Sequence, residues 1–175
     1  MDKIKFYQID IAYIDYLAQY APHLFHNKNA VQQNERKYIG VLLNIKGMEY
    51  FAPLSSFKSK HKTMRETIDF IKIKDYAVLN LNNMLPVPVG LAAYVDFSKE
   101  QDTRYRSLLL AEYRFIKTIQ GKILKNANVI YTHKLKNGNS TGLAKRCNDF
   151  LALEEACKRY KNMMAVTGTE GQSAP

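Results

Sequence analysis

Residues 38–54 read YIGVLLNIKGMEYFAPL. Two apolar runs of strand type, 38–45 and 48–54, flank Lys46-Gly47. A two-residue connection requires positive φ, which Gly47 adopts without steric penalty, so the stretch predicts a β-hairpin. Upstream, KFYQI (5–9) alternates and is rich in β-branched and aromatic residues, which predicts a strand. Asp10 is placed to cap a short helix, IAYIDYLAQYA, with Ile11, Ile14, Leu17 and Ala18 on one face and Pro22 ending it. Residues 22–35 are polar and irregular and read as an exposed loop.

Downstream, DFIKI (69–73) and YAVLNL (76–81) predict a second hairpin turning at Lys74-Asp75. The prolines of NNMLPVPVG confine that segment to a sheet edge or irregular structure. Ser98-Lys99-Glu100-Gln101 fits a capping box opening a helix that carries Tyr105, Leu109, Ile116, Ile119 and Ile123 at helical spacing. Gly121, Asn126 and Asn128 are positions at which this region would divide. KNGNST (136–141) reads as a loop. From Thr141, the residues Leu143, Cys147, Phe150, Leu151 and Cys157 mark a last helix. GTEGQSAP (168–175) is expected to be a disordered tail, which leaves 1–167 as one domain. Strands in the centre with helices at both ends, and no βαβ alternation, imply an α+β fold with an antiparallel, partly closed sheet.

The formal charge is +10, and its distribution is uneven. Residues 36–74 carry nine basic and three acidic side chains, and residues 98–136 carry the same numbers. Two basic segments on one small domain point to a polyanion partner, with nucleic acid ahead of a membrane surface. No apolar run approaches the roughly 18 residues of a membrane span. The first ten residues lack a signal-peptide core, so the expected location is the cytoplasm. Cys147 and Cys157 lie about three helical turns apart, too far to bridge within one helix, and are expected to be buried thiols. No paired-cysteine or Cys/His spacing suggests zinc, no acidic cluster suggests a two-metal nuclease, and the glycines form no phosphate loop. Neither a metal nor another cofactor is expected.

Where the first hairpin ends, FAPLSSFKSKHK (51–62) passes abruptly from apolar residues to Ser55, Ser56, Lys58, Lys60, His61 and Lys62. Metal-free RNA cleavage needs little more than this. The 2′-hydroxyl of the substrate is the nucleophile, and hydroxyls with a lysine can neutralise charge building on the phosphate. The same residues also suit a solvated loop. Phe57 is placed either to stack on a base or to anchor the loop. His61 has the company a general acid or base needs. His23 and His26 read as surface residues and His133 as structural.

Taken together, KFYQIDIAYIDYL (5–17), RKYIGVLLNIKG (36–47), YFAPLSSFKSKHKTM (50–64), DFIKI (69–73) and LNLNNMLPV (79–87) resemble the ToxN/AbiQ family. These are endoribonuclease toxins of type III toxin–antitoxin systems, and the AbiQ branch is the nearest in pattern. The resemblance implies a compact, MazF/Kid-like antiparallel β-barrel core flanked by helices. It implies metal-independent RNA cleavage giving 2′,3′-cyclic phosphate and 5′-hydroxyl ends. It also implies a partner, a tandem-repeat pseudoknot antitoxin RNA that the toxin processes and stays bound to as a multimeric RNA–protein complex, released on phage infection. The family's hydroxyl–hydroxyl–x–Lys motif falls on Ser55, Ser56 and Lys58, the expected catalytic group. Tyr13 and Arg36, with Lys37 beside it, match further positions. Phe57 stands where many relatives have proline, and Arg36 where relatives show lysine would keep charge without a proton-transfer role. Lys60, His61 and Lys62 are expected to hold the substrate backbone, and Asn82 and Asn83 either to read base edges or to form a turn. The second basic segment, with Arg104, Arg106, Arg114, Lys117 and Lys122, is expected to grip the antitoxin RNA. A non-catalytic RNA-binding module is the competing reading.

Overall fold

The computed structural model describes residues 4–21 and 36–169. The expected loop at 22–35, with His23 and His26, and most of the expected tail lie outside the described residues. The hairpin forms as its sequence predicts, with β2 at Tyr38–Ile45 and β3 at Met48–Ser56. Lys46 and Gly47 both take positive φ, 51° and 80°, the conformation that matches strand twist in a two-residue turn. Asn44 Oδ1 accepts the Gly47 N–H at 3.1 Å and ties the turn down.

β3 organises the sheet because it is long enough to serve two partners on one side. Its first half pairs with β6 (Leu85–Val87) and its last residues pair with β5 (Ala77–Asn80). On the other side it pairs with β2, which pairs with β1 (Lys5–Ile9), which pairs with β7 (Ala92–Tyr94). β4 (Phe70–Ile73) completes the second hairpin with β5 through a turn at Lys74, φ 51°. The order is β4-β5-β3-β2-β1-β7, every pairing is antiparallel, and β6 lies alongside β3. Among the described residues β4 and β7 do not pair, so hydrogen bonding leaves the sheet open rather than partly closed. β6 carries Pro86 on an edge, where its missing N–H deprives no neighbour.

Both faces of the sheet are covered, which explains the nearly unbroken apolar strands. Successive strand residues point to opposite faces. Tyr50 accordingly joins one buried cluster and Phe51 the other. The Tyr50 cluster is closed by the long helix α2 (Thr103–Asn137) through Ile116, Ile123 and Ile130. The Phe51 cluster is closed by α1 (Ile11–Ala18) and α4 (Phe150–Thr169) through Tyr13, Leu17, Leu153 and Cys157. Asp10 caps α1, its Oδ1 accepting the Tyr13 N–H at 3.0 Å.

The helical half departs from expectation in three places. The capping box at Ser98 does not open α2. Ser98 turns its hydroxyl onto Asp96, and Asp102 caps the helix by accepting the N–H groups of Arg104 and Tyr105. A carboxylate is an acceptor only and carries charge suited to a helix start. Gly121 does not divide α2: the buried residues on either side outweigh the roughly 1 kcal/mol that a helical glycine costs. The last helix is two, α3 (Gly142–Arg146) capped by Thr141 and α4, whose first turn is capped by Asp149. Between them Asn148 is fully buried, its N–H on Asn82 O and its side-chain amide on Met84 O. Cys147 and Cys157 are buried free thiols, one in each cluster.

Candidate active site

The two serines are not in a loop. β3 continues through them, with Ser55 opposite Val78 and Ser56 opposite Ala77 in the β5 ladder, so backbone pairing fixes both hydroxyl-bearing residues. The chain then turns through a 3₁₀ segment, Ser59–Lys62, whose shape depends on His61. The Nδ1 of His61 accepts the Lys58 N–H at 3.0 Å, and the His61 N–H donates to Lys58 O at 2.8 Å. The buried imidazole packs edge-on against Phe57 and tilted against Phe70. Phe57 itself donates its N–H to Tyr76 O at 3.2 Å. Lys58 thus stands on a backbone locked on both sides, although its own side chain is exposed.

These groups line a groove of about 520 Å³. The end of β3 lines it with Ala77, Val78 and Asn80 of β5, and the first turns of α2 add Tyr105, Leu108, Leu109 and Glu112. That spacing of three and four places all four on one helix face. Arg36 and Lys37, entering β2, join Lys58 and Lys60 as cations. Lys37 is buried, its ammonium 5.9 Å from the centre of the Tyr105 ring. Four cations around a cleft walled in part by apolar side chains focus positive potential where a phosphodiester would enter.

His61 and Glu112 line the groove as well. Burial holds the His61 imidazole below its ordinary value, helped by Lys60, Lys58 and Lys72. Neutral His61, accepting through Nδ1, carries its proton on Nε2 and has no lone pair left for a substrate proton. His61 therefore shapes the loop and cannot serve as a base. Glu112 is the sole acidic side chain among the described groove residues. It is 5% exposed, and burial pushes its carboxyl up to about 7.

The structure brings together Ser55, Ser56, Lys58, Arg36, Lys37, Lys60 and His61. It separates the other expected residues from them. Tyr13 is fully buried under α4, its hydroxyl donated to Pro86 O at 2.6 Å, so it cannot meet RNA without unpacking the core. Phe57 anchors the loop from a half-buried position and is not a groove residue. Lys62 is exposed beyond the groove, and its carbonyl accepts from the Lys72 ammonium. Asn82 and Asn83 belong to a 3₁₀ turn, Leu81–Asn83. Asn82 donates to Arg146 O and Asn83 is buried, and neither lines the groove. Tyr105 and Glu112 escaped the sequence reading. The signal for Glu112 was a carboxylate on the same stripe as buried Leu109 and Ile116. No group of three or more His, Cys, Asp or Glu is disposed to hold a metal ion among the described residues.

The family model described as toxin ToxN of type III toxin–antitoxin systems matches residues 5–158. The chain belongs to the ToxN family. Endoribonuclease ToxN of Bacillus thuringiensis subsp. kurstaki is 32% identical over 168 residues, covering 91% of this chain and 86% of that protein. A solved type III toxin–antitoxin structure, in which a non-coding RNA pseudoknot selectively inhibits the toxin, aligns with a TM-score of 0.75 at 31% identity. It covers 91% of this chain and 99% of its own. Endoribonuclease AbiQ of Lactococcus lactis subsp. lactis is 25% identical, covering 90% of this chain and 89% of that protein. The AbiQ structure shares the fold, with a TM-score of 0.79, 92% of this chain and 99% of its own, at 22% identity. By identity this ToxN-family chain stands nearer to the Bacillus ToxN, at 32%, than to AbiQ, at 25%, the branch nearest in pattern.

Proposed function

We propose that this ToxN-family chain is a metal-independent, sequence-specific endoribonuclease whose substrate supplies its own nucleophile. The observation that carries the reading is the convergence of Ser55, Ser56 and Lys58 with Arg36, Lys37 and Lys60 in one groove. The 2′-oxygen attacks the adjacent phosphorus and the bond to the 5′-oxygen breaks, leaving a 2′,3′-cyclic phosphate and a 5′-hydroxyl. Ser55 and Ser56 donate hydrogen bonds to the non-bridging oxygens, where charge accumulates in the transition state. Lys58 neutralises that charge, and Arg36, Lys37 and Lys60 hold the flanking phosphates. Each cation is matched to an anion that moves little, so stabilisation is greatest where the reaction concentrates charge.

The relatives support further parts of the same reading. The partner is a pseudoknotted, tandem-repeat antitoxin RNA that the toxin processes, and release during phage infection halts growth. Arg104, Arg114 and Lys122 of α2 are exposed cations suited to that RNA, with half-buried Arg106 and Lys117 behind them. The site of action is the cytoplasm, where such RNAs are found. The curled antiparallel sheet is of the MazF/Kid kind, opened at its edges.

Incubating the protein with a mixed RNA in excess EDTA tests the reading. Cleavage with cyclic-phosphate ends is expected, reduced roughly 10²–10³-fold in Lys58→Ala, the effect typical of losing one transition-state donor. Intact RNA that nonetheless binds tightly would leave the RNA-binding module in its place.

A further inference from the structure

Glu112 is the one groove residue whose chemistry the hydroxyls and cations do not account for. Its carboxyl has no hydrogen-bond or ion-pair partner among the described residues. Burying an ionisable group without a partner is costly, and structural carboxylates are normally satisfied. The only fully sealed, unpartnered side-chain oxygens among the described residues are those of Asn83 and Asn148. The Glu112 oxygens therefore keep contact with the solvent of the groove. α2 holds the side chain rigidly, from a helix whose buried face anchors it at Leu109 and Ile116. Ser55, Ser56 and Lys58 line the same groove.

The other candidates for the base are excluded by their bonding. His61 has its Nδ1 engaged and its other nitrogen protonated. Guanidinium and ammonium groups offer donors and no acceptor. Serine hydroxyls are far too weak as bases without a partner of their own.

Resting on the endoribonuclease reading, we propose that the Glu112 carboxylate accepts the proton of the attacking 2′-hydroxyl. The 2′-oxygen–hydrogen bond breaks toward a Glu112 oxygen while the 2′-oxygen–phosphorus bond forms. The bond from phosphorus to the 5′-oxygen breaks, and that oxygen takes a proton from groove water. Glu112 then returns its proton to solvent. Burial raises its affinity for protons into the range where a base is both available and effective near neutrality. The charged and titrating groups facing it are Arg36 and Lys37 before β2, Lys58, Lys60 and His61 after β3, and Tyr105 on its own helix. β5 contributes none. Burial alone accounts for its raised carboxyl.

The test begins by mapping a cut made by the wild type, then uses a short RNA spanning it and the same oligonucleotide with a 2′-deoxy sugar at the cut. Wild-type single-turnover cleavage is expected to rise about tenfold per pH unit and level off near pH 7. Glu112→Gln is expected to lose roughly 10²–10⁴-fold in rate and the rising limb, while binding the deoxy oligonucleotide within about twofold of wild type. Glu112→Asp should keep the limb at reduced rate. Cleavage by Glu112→Gln within about threefold of wild type overturns the proposal, as does a loss matched by equally weakened binding. If Glu112→Gln does not fold, a wild-type profile without the limb overturns it. A wild type that leaves RNA intact fails the endoribonuclease reading itself, a different result from active wild type with an unaffected variant.

Discussion

Two buried glutamates sit on the helices of this fold, in opposite circumstances. Glu154 of α4 is 3% exposed, and its Oε1 accepts hydrogen bonds from Tyr50 at 2.8 Å and Tyr131 at 2.7 Å. Burial and that carboxylate push both phenols above their ordinary values, so they remain donors throughout the accessible pH range. Around them Tyr50, Tyr131 and Phe150 pack edge-on or stacked within about 6 Å, the spacing of favourable ring pairs. Glu112 of α2 is 5% exposed and has no protein donor among the described residues. The first carboxylate is a tie between sheet and helices. The second is held at an energetic disadvantage beside a groove, the pattern expected when a site is kept for chemistry at the expense of stability.

The largest effect expected from this contrast is on catalysis. Glu154→Gln should leave the rate per folded molecule within a few-fold of wild type, whereas Glu112→Gln removes roughly 10²–10⁴-fold. Equal losses in single-turnover assays would erase the distinction. The next effect is on stability and has the opposite order. Glu112 is raised from 4.5 to about 7 in the folded chain. Its charged form is therefore penalised: the penalty is absent below pH 4.5, grows through the window, and is complete above 7. At 1.36 kcal/mol per unit, Glu112→Gln should be more stable than wild type by up to about 3 kcal/mol at pH 8, with the gain gone near pH 4. Denaturant titration at the two pH values measures this, and a gain that persists in acid would rule out the assigned cause.

A smaller loss is expected for Tyr50→Phe, which strips one of the two donors from Glu154. Removing a hydrogen bond to a buried charged group should lower stability by roughly 1–3 kcal/mol, readable as a shift in urea midpoint. No measurable change would mean that Tyr131 alone satisfies the carboxylate. The smallest effect is assigned to Lys62→Ala, outside the groove: cleavage within about twofold of wild type, with only a slightly flatter salt dependence of RNA binding. A loss comparable to that of Lys58→Ala would move the boundary of the site.

What the sequence revealed follows from how local each signal was. The 38–54 hairpin was legible because its turn and both strands lie within one short stretch. The serine–lysine cluster was legible because four of its residues are neighbours in the chain. β7 was not, since three residues with a plain composition become a strand only by lying beside β1. The start of α2 was misplaced because two acidic residues, Asp96 and Asp102, compete for nearby N–H groups, and only packing decides which begins the helix. Tyr13 matched a family position yet is sealed beneath Tyr160, a contact between residues nearly the whole chain apart. Glu112 left only the signal of a carboxylate on a buried helical stripe. Its meaning depends on α2 lying across from β3, and no local pattern states that.

The placement of Ser55 and Ser56 inside a paired strand bears on how such a toxin can be kept harmless. Their hydroxyls ride on backbone already committed to Val78 and Ala77, so there is no flexible arm to fold away and no latent shape to adopt. A partner that sheathed the cleft would restrain them from outside. Once the sheath leaves, killing should begin without lag, at a pace set by how fast the inhibitor falls off and is destroyed.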